Sequence, residues 1–127
     1  MPISRLAEYV GETAQELEES GISAPLMAHA ADGNAHFIFL VDREDAADVA
    51  RVEAANARLV ARAIALGGTV TGEHGLGCGK LKHLESETGA VAVEAMRAIK
   101  AALDPEDIFN PFKLGSRHVP HAYGEAL

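Results

Sequence analysis

The stretch Gly67-Gly68-Thr69-Val70-Thr71-Gly72-Glu73-His74-Gly75-Leu76-Gly77-Cys78-Gly79-Lys80 constrains this chain more than any other. Glycine loses more conformational freedom on folding than any other residue, so a helix or strand through such spacing is unfavourable. The segment therefore reads as a loop whose backbone must turn or approach something closely. Thr69-Val70-Thr71 is β-prone and leads in, and a helical stretch beginning near Lys80 leads out. Glu73 and His74 sit in the middle, two groups that can trade protons or bind a cation. A loop held between two rigid elements is where binding and catalytic groups concentrate.

Two phosphate-binding readings of this loop fail. A P-loop needs G-x-x-x-x-G-K-[ST], but counting back from Gly79-Lys80 puts His74 at the first glycine, and Leu81 follows the lysine. The dinucleotide pattern also fails, because Gly75-x-Gly77 is followed by Lys80 where glycine is required. The net charge of -8 argues against a nucleic-acid surface, and aromatic residues at 5% with no Trp argue against base stacking. The single cysteine, Cys78, excludes an internal disulfide and fits a reducing compartment. The expected location is cytoplasmic or peripheral to the inner membrane. No apolar run is long enough for a spanning helix, and the start lacks the pattern of a signal peptide.

In chain order, Ser4 is a candidate N-cap for a first helix whose face is Ile3, Leu6, Val10, Ala14 and Leu17, with Gly21 as its stop. Ala24–His29 and His36–Val41 read as strands, joined across Ala30-Ala31-Asp32-Gly33-Asn34-Ala35 by a somewhat long hairpin loop. Asp42 or Asp45 can cap a second helix with Val49, Val52, Leu59, Val60, Ala63 and Ile64 on its face, ended by Gly67-Gly68. A helix from Lys80 to Glu87 breaks at Gly89. Thr88 can cap the next, whose face is Ala92, Met96, Ile99 and Leu103 and whose stop is Asp104-Pro105. Residues 115–127 form a tail with little periodicity. The pattern is α+β, with three expected strands counting Thr69–Thr71. A sheet that small has open edges, so self-association of the isolated chain is expected.

Two constellations carry chemistry. His29 and His36 flank the hairpin turn, where two imidazoles can converge on Zn²⁺, Mn²⁺ or Fe²⁺; equally, they can be strand-end histidines satisfied by backbone or water. Glu73 can add an oxygen ligand and His74 can act as a general base, or Glu73 can simply cap a polar loop. Cys78 reads as a packed thiol, and Glu16, Glu18 and Glu19 as a solvated helix face. His83, His118 and His121 have no partner at useful spacing.

Four ordered motifs resemble one family. His29-Ala30-Ala31-Asp32-Gly33-Asn34-Ala35-His36 resembles H-x-G-D-G-N-x-H, and Gly72 to Lys80 resembles G-E-H-G-[IL]-G-x-G-K. Met96 to Pro105 and Ile108 to Lys113 resemble the closing M-R-x-I-K-x-x-[LF]-D-P and N-P-x-K. The family is the FAD-linked 2-hydroxyacid dehydrogenases of the vanillyl-alcohol-oxidase fold, which includes D-lactate dehydrogenases, glycolate oxidase flavin subunits and D-2-hydroxyglutarate dehydrogenases. The resemblance runs over about residues 2–114 and implies a domain over 1–114, with 115–127 as its tail. The implied architecture is part of a ferredoxin-like cap, an antiparallel sheet with helices on one face, plus C-terminal helices.

By resemblance, His29, His36 and Glu73 would ligate a divalent metal, Zn²⁺ or Mn²⁺, and His74 would take the α-hydroxyl proton of a small D-2-hydroxy acid. Asn34, Asn110 and Lys113 would contact substrate or cofactor. FAD would be held mainly by a separate FAD-binding domain or subunit, so the chain alone would be inactive. Two residues depart from the pattern: Ala31 stands where glycine is usual, which predicts a strained or reshaped metal loop, and Phe112 stands where Gly or Ala is common. The rival reading is a non-catalytic metal-binding or oligomerisation module derived from the same domain.

Overall fold

The computed structural model describes residues 1–114; the expected tail and its two histidines lie outside them. The described residues fold as α+β, in two compact units that meet in sequence after Gly72.

The first unit, Met1–Gly72, is a helix, a hairpin and a helix. Helix α1 spans Ile3–Glu19 and buries Leu6, Tyr9, Thr13 and Leu17. This face is rotated from the expected one. Ala14 and Ile3 are exposed, and Tyr9 and Thr13 take their places. The expected Ser4 cap is also absent: Pro2 holds the N-cap position with no side-chain bond. Pro there is preset for helix entry and has no donor to leave unsatisfied. At the other end Gly21 is left-handed (φ 63°), its N–H donates to Glu18, and the Ile22 N–H donates to Leu17. That paired bonding closes the helix and folds Ile22 onto Leu17, both buried.

Strands β1 (Leu26–His29) and β2 (Asn34–Phe37) pair antiparallel, with Leu26 opposite Phe37 and His29 opposite Asn34. The pairing continues in register where Ile38 N–H donates to Pro25 and Leu40 N–H to Ser23. Pro25 has no N–H to return a bond, which ends the regular ladder there. The loop is tighter than expected: a single 3-10 turn over Ala30–Asp32 and a left-handed Gly33 (φ 69°). Ala31 has no left-handed backbone, so the strain expected of it is not found. Alanine is accommodated because the turn places its one left-handed residue at Gly33.

Helix α2 (Ala46–Ala65) is capped by Asp45, whose carboxylate accepts from Ala47 N at 2.8 Å and Asp48 N at 3.3 Å. It buries Val52, Ala55, Leu59 and Ala63. Leu17, Ile22, Val52, Ala55 and Leu59 form the core, covered by Ala24, Phe37, Phe39 and Val41. Burial of each large side chain contributes about 1.5–3 kcal/mol. Thr69–Thr71 is not a strand. The two hydroxyls lie 3.0 Å apart and Thr71 N–H donates to Thr69 Oγ1, so side chains occupy groups a ladder would need.

The second unit begins at Glu73. Its helices are α3 (Leu81–Thr88) and α4 (Ala90–Leu103), which meet through buried Leu84 and Val93. Thr88 does not cap α4 as expected; its hydroxyl donates back to Leu84 O at 2.8 Å, and Gly89 holds the N-cap position. The inward face of α4 is centred on Val93 rather than on Ile99 and Leu103, which are 60% and 77% exposed. Past the helix the chain is held by charge. The Asp104 carboxylate accepts from Ile108 N and Phe109 N, both at 2.9 Å, and pairs with Lys100, whose ammonium also donates to Phe109 O.

Candidate functional site

The hairpin sorts its residues by alternation. Phe37, Phe39 and Val41 cover the core, with the Phe37 ring edge-on to Tyr9 at 6.1 Å between centroids. The opposite face therefore carries Met27, His29, Asn34, His36, Ile38 and Leu40. His29 pairs with Asn34 and Met27 with His36, so the two histidines are diagonal neighbours on one face. Their rings stand edge to face, 5.8 Å between centroids, and a ring nitrogen of each lies within 4.8 Å of the other's. Two imidazoles at that separation can reach a common ion, since metal–nitrogen bonds are about 2 Å long. Histidine donors of this kind suit Zn²⁺ or Mn²⁺, so the donor set fits a divalent metal.

Asn34 lies beside Gly72. A Cβ at Gly72 would sit 3.3 Å from Asn34 Oδ1, and the backbone there is left-handed (φ 51°). Glycine at 72 thus lets the chain pass against the amide on the histidine face. Gly33 is more constrained still, because a Cβ there would collide with the Met1 carbonyl oxygen.

In the second unit, Glu73 and His74 are half exposed or more, and His74 Nε2 lies 3.5 Å from Glu73 Oε1. The loop turns at these two residues, and their side chains approach each other. Asn110 is left-handed (φ 47°), and its carbonyl accepts from Lys113 N at 3.3 Å. Lys113 Nζ lies 2.8 Å from Cys78 Sγ. The first unit therefore joins His29, His36 and Asn34, while the second joins Glu73 to His74 and Lys113 to Cys78.

Three interactions had no clear signal in the sequence. Glu16, expected to be solvated, accepts from Arg58 at 2.6 Å and Arg62 at 2.5 Å, and these guanidinium bonds hold its carboxyl below the usual range. Thr13, fully buried, accepts from Arg62 at 3.0 Å. Asp104 is held low chiefly by Lys100. An i,i+4 spacing could have flagged Lys100–Asp104, but the partners of Glu16 lie more than forty positions away.

Residues 1–114 match the family model of FAD linked oxidases, C-terminal domain, and the chain belongs to that family. It is 43% identical over 114 residues to a mitochondrial protein of Danio rerio named as a probable D-lactate dehydrogenase, covering 90% of this chain and 23% of that one. A mitochondrial D-lactate dehydrogenase (cytochrome) of Arabidopsis thaliana is 42% identical over 119 residues, covering 94% of this chain and 21% of the relative. The glycolate oxidase subunit GlcD of Bacillus subtilis is 40% identical over 114 residues, covering 90% and 24%. The chain spans less than a quarter of the length of these relatives. Among the described residues, no helix is long and apolar enough to cross a membrane.

Proposed function

We propose that this chain is the C-terminal part of an FAD-dependent oxidoreductase that converts a D-2-hydroxy acid, D-lactate first, to the 2-oxo acid. The observation that carries the reading is the pair His29 and His36 on one hairpin face. It is supported by the relatives named as D-lactate dehydrogenases. His29 and His36 hold a divalent ion, Zn²⁺ or Mn²⁺, through ring nitrogens. The resemblance of Gly72-Glu73-His74 to the family's G-E-H motif supports Glu73 as the carboxylate ligand. Such an ion supplies Lewis acidity to an α-hydroxyl and carboxylate. FAD, held mainly by another domain or subunit, supplies hydride acceptance.

The chain's own residues do the remaining work. His74, 64% exposed, receives the hydroxyl proton. Asn34 offers an amide that can orient the substrate's polar end, and Asn110 and Lys113 contact substrate or cofactor. In isolation the chain self-associates, because Val91, Ile99, Leu103, Ile108 and Phe109 are all at least 60% exposed.

The test is metal content by mass spectrometry beside turnover of D-lactate and of glycolate with an artificial acceptor, in the complete enzyme. His29→Ala and His36→Ala should each remove most of the metal, because two remaining ligands seldom hold such an ion against water. His74→Ala should keep the metal and lower turnover roughly 10²–10⁴-fold, the usual range for losing a general base. An emptied site in His74→Ala beside a full one in His29→Ala would reverse these roles. Faster turnover of glycolate than of D-lactate would move the chain to the other substrate its relatives' names suggest.

A further inference from the structure

Cys78 takes no part in the proposed reaction, yet it is tightly addressed. Lys113 Nζ lies 2.8 Å from its sulfur, and the thiol points toward the Phe112 carbonyl at 3.8 Å. Both partners come from one backbone turn. Phe112 is left-handed (φ 68°), a conformation that disfavours a bulky side chain, and that turn presents its own carbonyl and the next residue's amine to the sulfur. Cys78 is partly exposed and flanked by Gly77 and Gly79, which carry no side chains to shield it. The partial exposure of Cys78 leaves its sulfur within reach of a small oxidant.

We propose that Cys78 and Lys113 form an oxidation-responsive pair. Hydrogen peroxide converts the Cys78 thiol to sulfenic acid: an S–O bond forms, the peroxide O–O bond breaks, sulfur is oxidised by two electrons and one water leaves. The chain has no second cysteine to resolve this product as an internal disulfide. The nucleophile in contact is instead the Lys113 amine. After losing a proton to solvent, its nitrogen attacks the sulfenic sulfur. An S–N bond forms, the S–O bond breaks, and the hydroxide leaves as water with a second proton from the nitrogen. Sulfenic acids are known to condense with nitrogen in this way. The resulting sulfenamide joins the glycine loop that carries Glu73 and His74 to the segment that carries Asn110. A small thiol reverses it, taking the sulfur into a mixed disulfide and returning the amine. The inference rests on the second unit alone and does not depend on the metal or on the substrate.

The experiment treats the full 127-residue chain with hydrogen peroxide, blocks remaining sulfenic acid with a dimedone-type trap, digests with trypsin and reads peptide masses. The expected product joins residues 63–80 to residues 101–117, with Lys113 uncleaved. Its mass is lower than the sum of the two peptides by a pair of hydrogen atoms, and dithiothreitol removes it. In Lys113→Met the linked peptide disappears and trapped or over-oxidised Cys78 replaces it. The wild-type linkage is read directly, so the result does not hang on the variant's folding. A Cys78 that reaches sulfinic acid without any linked peptide overturns the proposal. So does a linkage that retains an extra oxygen, or an intermolecular disulfide as the main product.

Discussion

The two units solve the same problem with different means. The first closes a core of Leu17, Ile22, Val52, Ala55 and Leu59 between two helices and a hairpin. Ions then pin its surface, with Arg62 bonded to Glu16 and Thr13 across the helices. Among its described residues, the second unit buries little beyond Leu84 and Val93, and relies on Asp104 and Lys100 to shape the turn after α4. Three non-glycine residues with left-handed backbone lie among those described residues: Asp107, Asn110 and Phe112. A histidine pair that must converge benefits from rigid strands on a packed core. A loop and terminal segment proposed to contact substrate can tolerate less packing, and low-stability regions are where such elements are found.

The largest test of this contrast is truncation of apolar side chains. Leu59→Ala should lower stability by about 2–5 kcal/mol, as buried leucines do, whereas Ile99→Ala should stay within about 0.5 kcal/mol. Urea denaturation with region-resolved hydrogen exchange measures both. A loss at Ile99 as large as at Leu59 would show that α4 uses its outer face, and the contrast would collapse.

Acid comes next. Glu16 and Asp104 are both held low in the folded chain, by Arg58 and Arg62 and by Lys100 respectively. A carboxylate with a depressed folded pKa contributes stability above its unfolded value, and that contribution is lost as pH falls through the folded one. Stability should therefore be flat near neutrality and fall below the ordinary carboxylate range, near pH 4. Glu16→Gln should flatten the acid limb of exchange in the first unit by about 1 kcal/mol. Asp104→Asn should flatten it only beyond Glu73. If either substitution changes both limbs equally, the units unfold as one.

The smallest effect expected has the opposite sign. Phe112→Gly removes a left-handed bulky residue and should raise stability by up to about 1 kcal/mol, offset in part by the contacts the ring makes. A loss of stability in thermal melts would mean that the ring's packing outweighs its backbone strain.

Much of this was legible in the residues, for reasons that are local. Asp45 caps α2 because a carboxylate can reach the helix N–H groups two and three positions on. Gly21 and Gly67 end their helices because each must turn left-handed. The helix and hairpin order followed. The convergence of His29 and His36 was one of two open readings, and the turn, tighter than the expected loop, puts them on one face. Two expected caps, Ser4 and Thr88, failed locally, and other misreadings came from features that depend on a distant partner. Thr69–Thr71 has strand propensity but no strand beside it, so its hydroxyls bond locally instead. Helix α1 has the expected period, yet its buried stripe turns toward Tyr9 and Thr13 because Phe37 and Arg62 await them from elsewhere in the chain.

The sequence by itself determined the order of helices and hairpin, the cap at Asp45, the glycine stops at Gly21 and Gly67 and the identity of the histidine and glycine motifs, because backbone dihedral limits and short-range hydrogen bonds act over a few residues. Only the tertiary structure decided which side of each helix is buried and that Glu16 is paired rather than solvated. It alone decided that Lys113 meets Cys78. Those outcomes depend on where the chain returns in space, and no short-range rule encodes that return.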